Sequence, residues 1–255
     1  MELDEKLLGP APPDLAKRKD FEAALENYRP SDEARTVLNE TTLVLLVGPS
    51  SSGRNTVITE LLKTDRYHFI VSDTTRPPRV NNGVRETNGV EYWFRSEEDM
   101  LADIQKGEYL EAEVIFGQQV SGISIRELRK ARDEQRIAVN DVDIGGIGNI
   151  MRAKPDTIAL LLLPPSFDEW LHRLDNRGKM SKEEVRRRFE TACRIFANGA
   201  ESDHLTIVVN DTFERAVEQV RRIAEDGAID TQEQLRGKAL AERLLADTQS
   251  FLKSL

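Results

Sequence analysis

One cysteine, Cys193, stands among the 255 residues, so no disulfide can close within the chain, and a reducing cytoplasm is the compartment that suits it. It falls in a helical pattern, where burial rather than nucleophilicity is its expected role. Histidine is scarce too: His68, His172 and His204 are scattered without metal-ligand spacing and read as structural. No nucleophile–His–acid pattern stands out. Positive charge is not in excess. The chain carries 36 Lys and Arg against 45 Asp and Glu, a net charge of -9, which excludes a broad nucleic-acid-binding surface and leaves room only for local basic clusters. Long apolar runs are missing, because Leu43–Val47 and Ile158–Pro165 are too short to span a bilayer. The N-terminal MELDEKLLGPAPP is acidic and has no apolar centre, so it does not read as a signal peptide. The acceptor pattern Asn39-Glu40-Thr41 is a chance match in a chain of this kind. No internal repeat is visible.

What is present is enough to fold. A hydrophobic fraction of 39% supports a core, and 32% charged residues a well-solvated surface. The length suits one large α/β domain with extensions, or two small ones. Residues 14–28 read as a helix with Leu15, Phe21, Leu25 and Tyr28 on one side, ended by Pro30. Apolar strands near Leu45, Val139, Ile158 and Val208 alternate with helices, which predicts a parallel sheet covered on both faces.

The organising stretch is Leu43-Val44-Leu45-Leu46-Val47-Gly48-Pro49-Ser50-Ser51-Ser52-Gly53-Arg54-Asn55-Thr56. An apolar strand enters a glycine, a second glycine follows five positions later, and the apolar Val57, Ile58, Leu61 and Leu62 then take helical spacing. Such a loop turns N–H groups inward and aims a helix N-terminus at one point, which suits a phosphate chain. The same spacing also fits an ordinary strand-to-helix turn. Against the pattern G-x-x-x-x-G-K-[ST], two positions differ. Arg54 keeps the lysine's charge but is longer and planar. Asn55 offers a carbonyl oxygen where a hydroxyl would meet Mg²⁺, a weaker hard-ion ligand, and Thr56 sits one place too late to replace it.

Further along, Asp73-Thr74-Thr75-Arg76-Pro77-Pro78-Arg79 holds two arginines on a stiff extended segment, within reach of a common anion. A solvated loop with two surface arginines is the plainer alternative. Val90–Phe94 alternates as a strand does, Tyr109–Phe116 reads as a strand carrying Glu111 and Glu113, and Gly117–Ile123 reads as a loop. Ile137–Asp143 is an apolar strand ending in Asp141 and Asp143, at the sheet end where open α/β folds bind ligands; Asp143 could equally be a helix cap. Lys182–Ala197 is a basic helix carrying Arg186, Arg187, Arg188 and Arg194, either a solvated face or an arginine-bearing flap. Asp211 with Glu214 caps the next helix, and Gly227 opens a C-terminal amphipathic one.

In order along residues 42–225, the segments G-P-S-S-S-G, S-D-T-T-R-P-P-R, N-G-V-E-Y-W-F, E-Y-L-E, N-D-V-D-I-G-G, L-P-P-S and V-V-N-D resemble the guanylate kinase family. The resemblance implies a parallel-sheet core of the P-loop nucleoside triphosphate hydrolase type, with a small β-rich GMP-binding subdomain at about 72–124 and a helical lid at about 170–195. Residues 42–226 would form this domain, 1–41 a partly helical N-terminal extension and 227–255 a C-terminal amphipathic helix. It implies ATP-binding by Gly48, Ser50, Ser52, Gly53, Arg54, Asn55, Thr56 and Asn210. GMP would be held by Ser72, Arg76, Arg79, Tyr92, Glu111 and Asp143. Arg54, Arg173, Arg177 and Arg188 would be catalytic, and Asn55 and Asp141 would serve Mg²⁺ through water. Guanine offers a carboxylate such as Glu111 two adjacent N–H donors, where adenine presents an acceptor.

The family pattern N-x-Y-G-T is replaced within Gln118–Ile123, losing a phosphate-binding tyrosine and a guanine-touching hydroxyl, and the family glutamine after the aspartates is Gly145. The implied function is phosphoryl transfer from ATP to GMP, slowed by Arg54-Asn55. The alternatives are a non-catalytic module that binds GMP or a phosphorylated partner, and a kinase for another phosphorylated acceptor. The expected partners are ATP and GMP, with no nucleic acid and no membrane, and with self-association or protein contact through the terminal helices. The expected location is cytoplasmic.

Overall fold

The computed structural model describes residues 14–81, 83–176 and 181–255, which cluster into two compact units. One takes Asn39–Ile70 and Lys130–Leu255, the other the chain up to Leu38 and Val71–Arg129.

The larger unit is built on five parallel strands: β1 (Leu43–Val47), β2 (Tyr67–Phe69), β9 (Ile137–Asp141), β10 (Ile158–Leu163) and β11 (Thr206–Val209), in the order β11-β10-β1-β9-β2. All five β1 residues are buried, as an unbroken apolar run requires when both faces are covered. Each such side chain contributes about 2 kcal/mol relative to leaving it in water. Helices α3 (Arg54–Leu61) and α9 (Phe213–Asp226) bury Val57, Ile58, Leu61, Val217, Val220 and Ile223 against the sheet. Helices α6 (Ile144–Ala153), α7 (Phe167–Asp175), α8 (Lys182–Glu201) and α10 (Thr231–Ser254) complete the unit. Gly199 sits inside α8, where an added Cβ would meet Leu161 at 2.4 Å, so the helix runs beyond Ala197. Gly227 is the left-handed cap of α9 (φ 65°), and α10 starts later, with the Asp230 side chain accepting from the Gln232 and Glu233 N–H groups. Thr212, not Asp211, is the N-cap of α9, without a side-chain cap bond.

The smaller unit holds α1 (Arg18–Glu26), most of α2 (Asp32–Glu40) and α4 (Glu97–Gln105), together with a four-stranded sheet. Its strands are β3 (Asp73–Thr74), β6 (Trp93–Phe94), β7 (Tyr109–Ile115) and β8 (Gln119–Ser124), in the order β6-β3-β8-β7. A separate hairpin pairs β4 (Val80–Asn81) with β5 (Val84–Arg85). Residues Leu15 and Phe21 enter one core with Met100, Ile104, Tyr109 and Val120. The segment expected as a loop after Phe116 is mostly β8. Its strand form comes from pairing with β7 and from Gly122, where a Cβ would lie 2.6 Å from the Glu111 carbonyl oxygen. Conversely, only Trp93 and Phe94 of the expected Val90–Phe94 strand pair as one. Helix α5 (Ile125–Asp133) follows β8.

Candidate functional site

In the larger unit, the loop after β1 leaves the carboxyl edge of the sheet, where ligands bind in open α/β folds. Both glycines are dictated by geometry. A Cβ on Gly48 would lie 2.6 Å from the Leu162 carbonyl oxygen, and Gly53 (φ 99°) would drive one to 2.2 Å from the Asn210 amide. The Asn210 Nδ2 donates to the Ser52 carbonyl at 2.8 Å, and the Trp170 indole N–H donates to the Ser50 carbonyl at 2.8 Å. Arg173 donates to the Asn210 carbonyl at 3.1 Å while pairing with Glu169. The loop is therefore held from α7 and from the end of β11.

Residues Pro49–Thr56 and Asp141 line a cavity of about 130 Å³. The hydroxyls of Ser51 and Ser52 are buried without a hydrogen-bond partner among the described residues, which costs free energy. Ser51 is also held at φ 66°. Arg54 lies 3.5 Å from the Asp141 carboxylate and donates to the Val142 carbonyl at 3.4 Å. The loop thus sets a cation, paired with Asp141, along the wall of one small space. Asn55 and Thr56 are exposed in the first turn of α3. Asp143 is the exposed N-cap of α6, without a side-chain cap bond. Arg188 pairs with Glu184 one turn earlier on its own helix. Arg177 lies outside the described residues.

Among the described residues no group of three or more His, Cys, Asp or Glu side chains could hold a metal. The available donors are one carboxylate, Asp141, and the Asn55 carbonyl oxygen beside the same cavity. That set fits Mg²⁺ carried in on a substrate's phosphates and met through water, and does not fit a resident all-protein site. Burial and Glu190 push the Cys193 thiol up, away from nucleophile character.

In the smaller unit, Arg76 is buried and grips Glu86 with two bonds of 2.5 and 3.0 Å; its guanidinium lies 4.7 Å from the Tyr92 ring centre. The Arg79 backbone N–H donates to the same carboxylate at 2.8 Å. The anion these arginine positions share is Glu86, whose carboxyl is pulled down to about 2, chiefly by the Arg76 hydrogen bond. Ser72 is half-buried, and its carbonyl accepts from the Trp93 N–H at 2.9 Å.

Glu111 is half-buried on β7, with Glu113 two residues along the same face. Burial first, and Glu113 second, push its carboxyl up to about 7, although the Ile123 N–H works the other way. Ile123, opposite Glu111, supplies no hydroxyl there, whereas the Ser121 hydroxyl donates to Thr74 at 3.0 Å. Behind this face Asp73 is fully buried and takes bonds from Arg95, Arg126 and the Tyr109 phenol.

Sequence reasoning missed Glu86, Trp170 and Asp73. Trp170 carries no motif of its own, and Glu86 is brought back to Arg76 only by the β4–β5 hairpin.

A parallel sheet with a glycine-spaced loop at its carboxyl edge, in a chain that also holds a separate unit with an arginine–carboxylate cluster, defines an α/β protein of the P-loop nucleotide-binding type. The family model for guanylate kinase matches residues 40–227, and the chain belongs to the guanylate kinase family. It is 35% identical to a guanylate kinase of Corynebacterium efficiens over 184 residues, covering 71% of this chain and 93% of that one. It is likewise 35% identical to that of Myxococcus xanthus over 191 residues, covering 74% and 88%. The solved guanylate kinase of Anaplasma phagocytophilum shares the fold, with a TM-score of 0.52 and 22% identity over 76% of this chain and 93% of that one. Helices α1 and α10 lie outside the matched region. No helix among the described residues is long and apolar enough to cross a membrane.

Proposed function

We propose that the chain transfers the γ-phosphoryl group of ATP to GMP, giving ADP and GDP, in the cytoplasm. A GMP phosphate oxygen attacks the γ-phosphorus, and the bond from that phosphorus to the bridging oxygen of ADP breaks. The protein's contribution is positioning and charge neutralisation. The observation that carries this reading is the small cavity of the Gly48–Gly53 loop, with two buried hydroxyls lacking partners among the described residues and Arg54 along its wall.

The Ser51 and Ser52 hydroxyls and the loop N–H groups would hold the ATP phosphates, with Arg54 in the lysine's place and Asn55 and Thr56 at the mouth. Asn210 and Arg173 keep the loop in shape. Arg188, paired with Glu184 on its own helix, would exchange that partner for the transferred group, and Arg177 would join it in neutralising charge there. Mg²⁺ entering with ATP would neutralise phosphate charge, with Asp141 and Asn55 holding its waters. On the acceptor side, Ser72, Arg76, Arg79 and Tyr92 would take the GMP phosphate, Glu111 would accept the two guanine N–H donors, and Asp143 would assist at the base.

The Arg54–Asp141 pair makes Arg54 a fixed rather than a mobile charge, which favours a working loop over a vestigial one. The test is a coupled ADP-release assay with ATP, Mg²⁺ and each of GMP, dGMP, AMP, UMP and CMP. Turnover should depend on GMP and should drop about a hundredfold in Arg54→Ala, the usual cost of one preorganised charge contact. GMP binding by calorimetry with no turnover would overturn the kinase reading and leave a binding module. Turnover with a different acceptor would move the assignment to that nucleotide.

A further inference from the structure

Among the described residues strand β7 is an edge of its sheet, so its outer backbone groups have no neighbouring strand there. One side chain from helix α1's C-terminal flank takes that place. The Tyr28 hydroxyl accepts from the Tyr109 N–H at 2.8 Å and donates to the Tyr109 carbonyl at 2.6 Å. A single hydroxyl thus completes both ladder bonds of one residue.

The position of this contact gives it consequence. Tyr109 faces Ser124 on β8 and Glu111 faces Ile123, so Leu110 is an extra residue, a β-bulge, between them. Leu110 and Tyr109 are both buried. A bulge re-aims the side chain beside it, and a one-residue slip in a strand sends every side chain to the opposite face. Here the side chain beside the bulge is Glu111. Tyr109 is pinned at its other end as well, because its phenol donates to Asp73 at 2.6 Å. Asp73 follows Ser72 and lies three residues before Arg76. The Tyr28 ring packs on the same cluster that buries Tyr109.

We propose that Tyr28, outside the family-matched region, is a positioning residue that fixes the register of the bulge and so aims the Glu111 carboxylate at the guanine of the acceptor. This rests on the GMP reading above. Tyr28 acts through the Tyr109 backbone and touches no substrate.

The experiment compares Tyr28→Phe, Leu25→Ala and Glu111→Gln with the wild-type chain, measuring kcat and separate KM values for GMP and ATP. Calorimetric GMP titrations are run well below each unfolding midpoint. Phenylalanine keeps the ring that packs and removes only the hydroxyl. Leu25→Ala loosens the same cluster without touching the bond. Tyr28→Phe should raise KM for GMP about tenfold with kcat and KM for ATP nearly unchanged, the scale of effect expected from a small misplacement of a binding group. Leu25→Ala should lower the unfolding midpoint without that split. An unchanged KM for GMP in Tyr28→Phe, while Glu111→Gln weakens GMP, would overturn the positioning role and leave the guanine assignment standing. The same split in Leu25→Ala would also overturn it, by assigning the effect to general loosening. No effect of Glu111→Gln on GMP would remove the guanine assignment, and this inference with it.

Discussion

On the proposed reading, in which Glu111 accepts guanine, its carboxyl, pushed up to about 7 by burial and by Glu113, makes GMP binding a titration. Only the carboxylate accepts both guanine N–H groups, so the protonated form must lose its proton on binding. With a midpoint near 7, the ionised fraction rises about tenfold between pH 6 and pH 8, and GMP affinity should rise by about that factor. The phosphate of GMP itself titrates near pH 6, so the wild-type slope alone does not isolate Glu111. The informative quantity is the difference between wild type and Glu111→Gln, since glutamine keeps the shape and does not titrate. Calorimetry in two buffers of different ionisation enthalpy adds a proton count. About half a proton should leave per GMP bound at pH 7 in the wild type beyond that in the variant.

The same shift has a stability side with the opposite benefit. A carboxyl raised in the folded state is protonated there while the unfolded chain has already ionised, so stability falls as pH climbs from about 4.5 to 7. The cost above pH 7 is about 3 kcal/mol as an upper bound. Glu111→Gln should therefore raise the unfolding midpoint at pH 8 and leave it nearly unchanged at pH 4. Parallel wild-type and variant profiles, in both binding and unfolding, would refute the assignment of this carboxyl as the titrating group.

Other perturbations test the remaining parts. Glu86→Ala leaves the buried Arg76 guanidinium without its carboxylate and should cost about 3 kcal/mol. GMP should stabilise that variant more than the wild type in thermal unfolding, because its phosphate replaces the lost anion. Trp170→Phe removes the indole N–H that fixes the Ser50 carbonyl, at a cost of about 1 kcal/mol. Steady-state kinetics should then show a raised KM for ATP with KM for GMP unchanged. Phe251→Ala breaks the stack of α10 on Phe189, at a centroid distance of 4.7 Å, and should lower stability by about 2 kcal/mol in denaturant unfolding.

The parts legible in the sequence are those whose pattern is local. The β1 run and the two loop glycines follow from hydrophobic continuity and a steric limit, each contained within a few residues. What escaped depends on distant partners. Gln119–Ser124 has weak strand propensity, yet it pairs because β7 lies beside it and Gly122 permits the approach. Gly199 would interrupt a helix read alone, yet α8 continues because Leu161 fills the space. The two arginines were visible as an anion site, but their anion was not, since Glu86 returns to them only through the fold of the hairpin.

The helices outside the family match meet the same physical problem at two places. In the larger unit β11 is an edge strand among the described residues, and the Gln234 side chain of α10 accepts from the Ile207 N–H at 2.7 Å and donates to the Ile207 carbonyl at 3.0 Å. Gly237 lets α10 come that close, for a Cβ there would meet Ile207 at 2.7 Å. In the smaller unit the Tyr28 hydroxyl makes the same pair of bonds to Tyr109 on the edge strand β7. An edge strand left open is a site for unwanted pairing, and a charged or proline residue is the usual guard. A side chain that both accepts and donates does more, because it also fixes where along the strand the cover sits. At β11 the fixed point lies three residues before Asn210, which holds the loop through Ser52; at β7 it lies two residues before Glu111. Each extension therefore holds an edge strand by both backbone groups of one residue, within three residues of a candidate site residue.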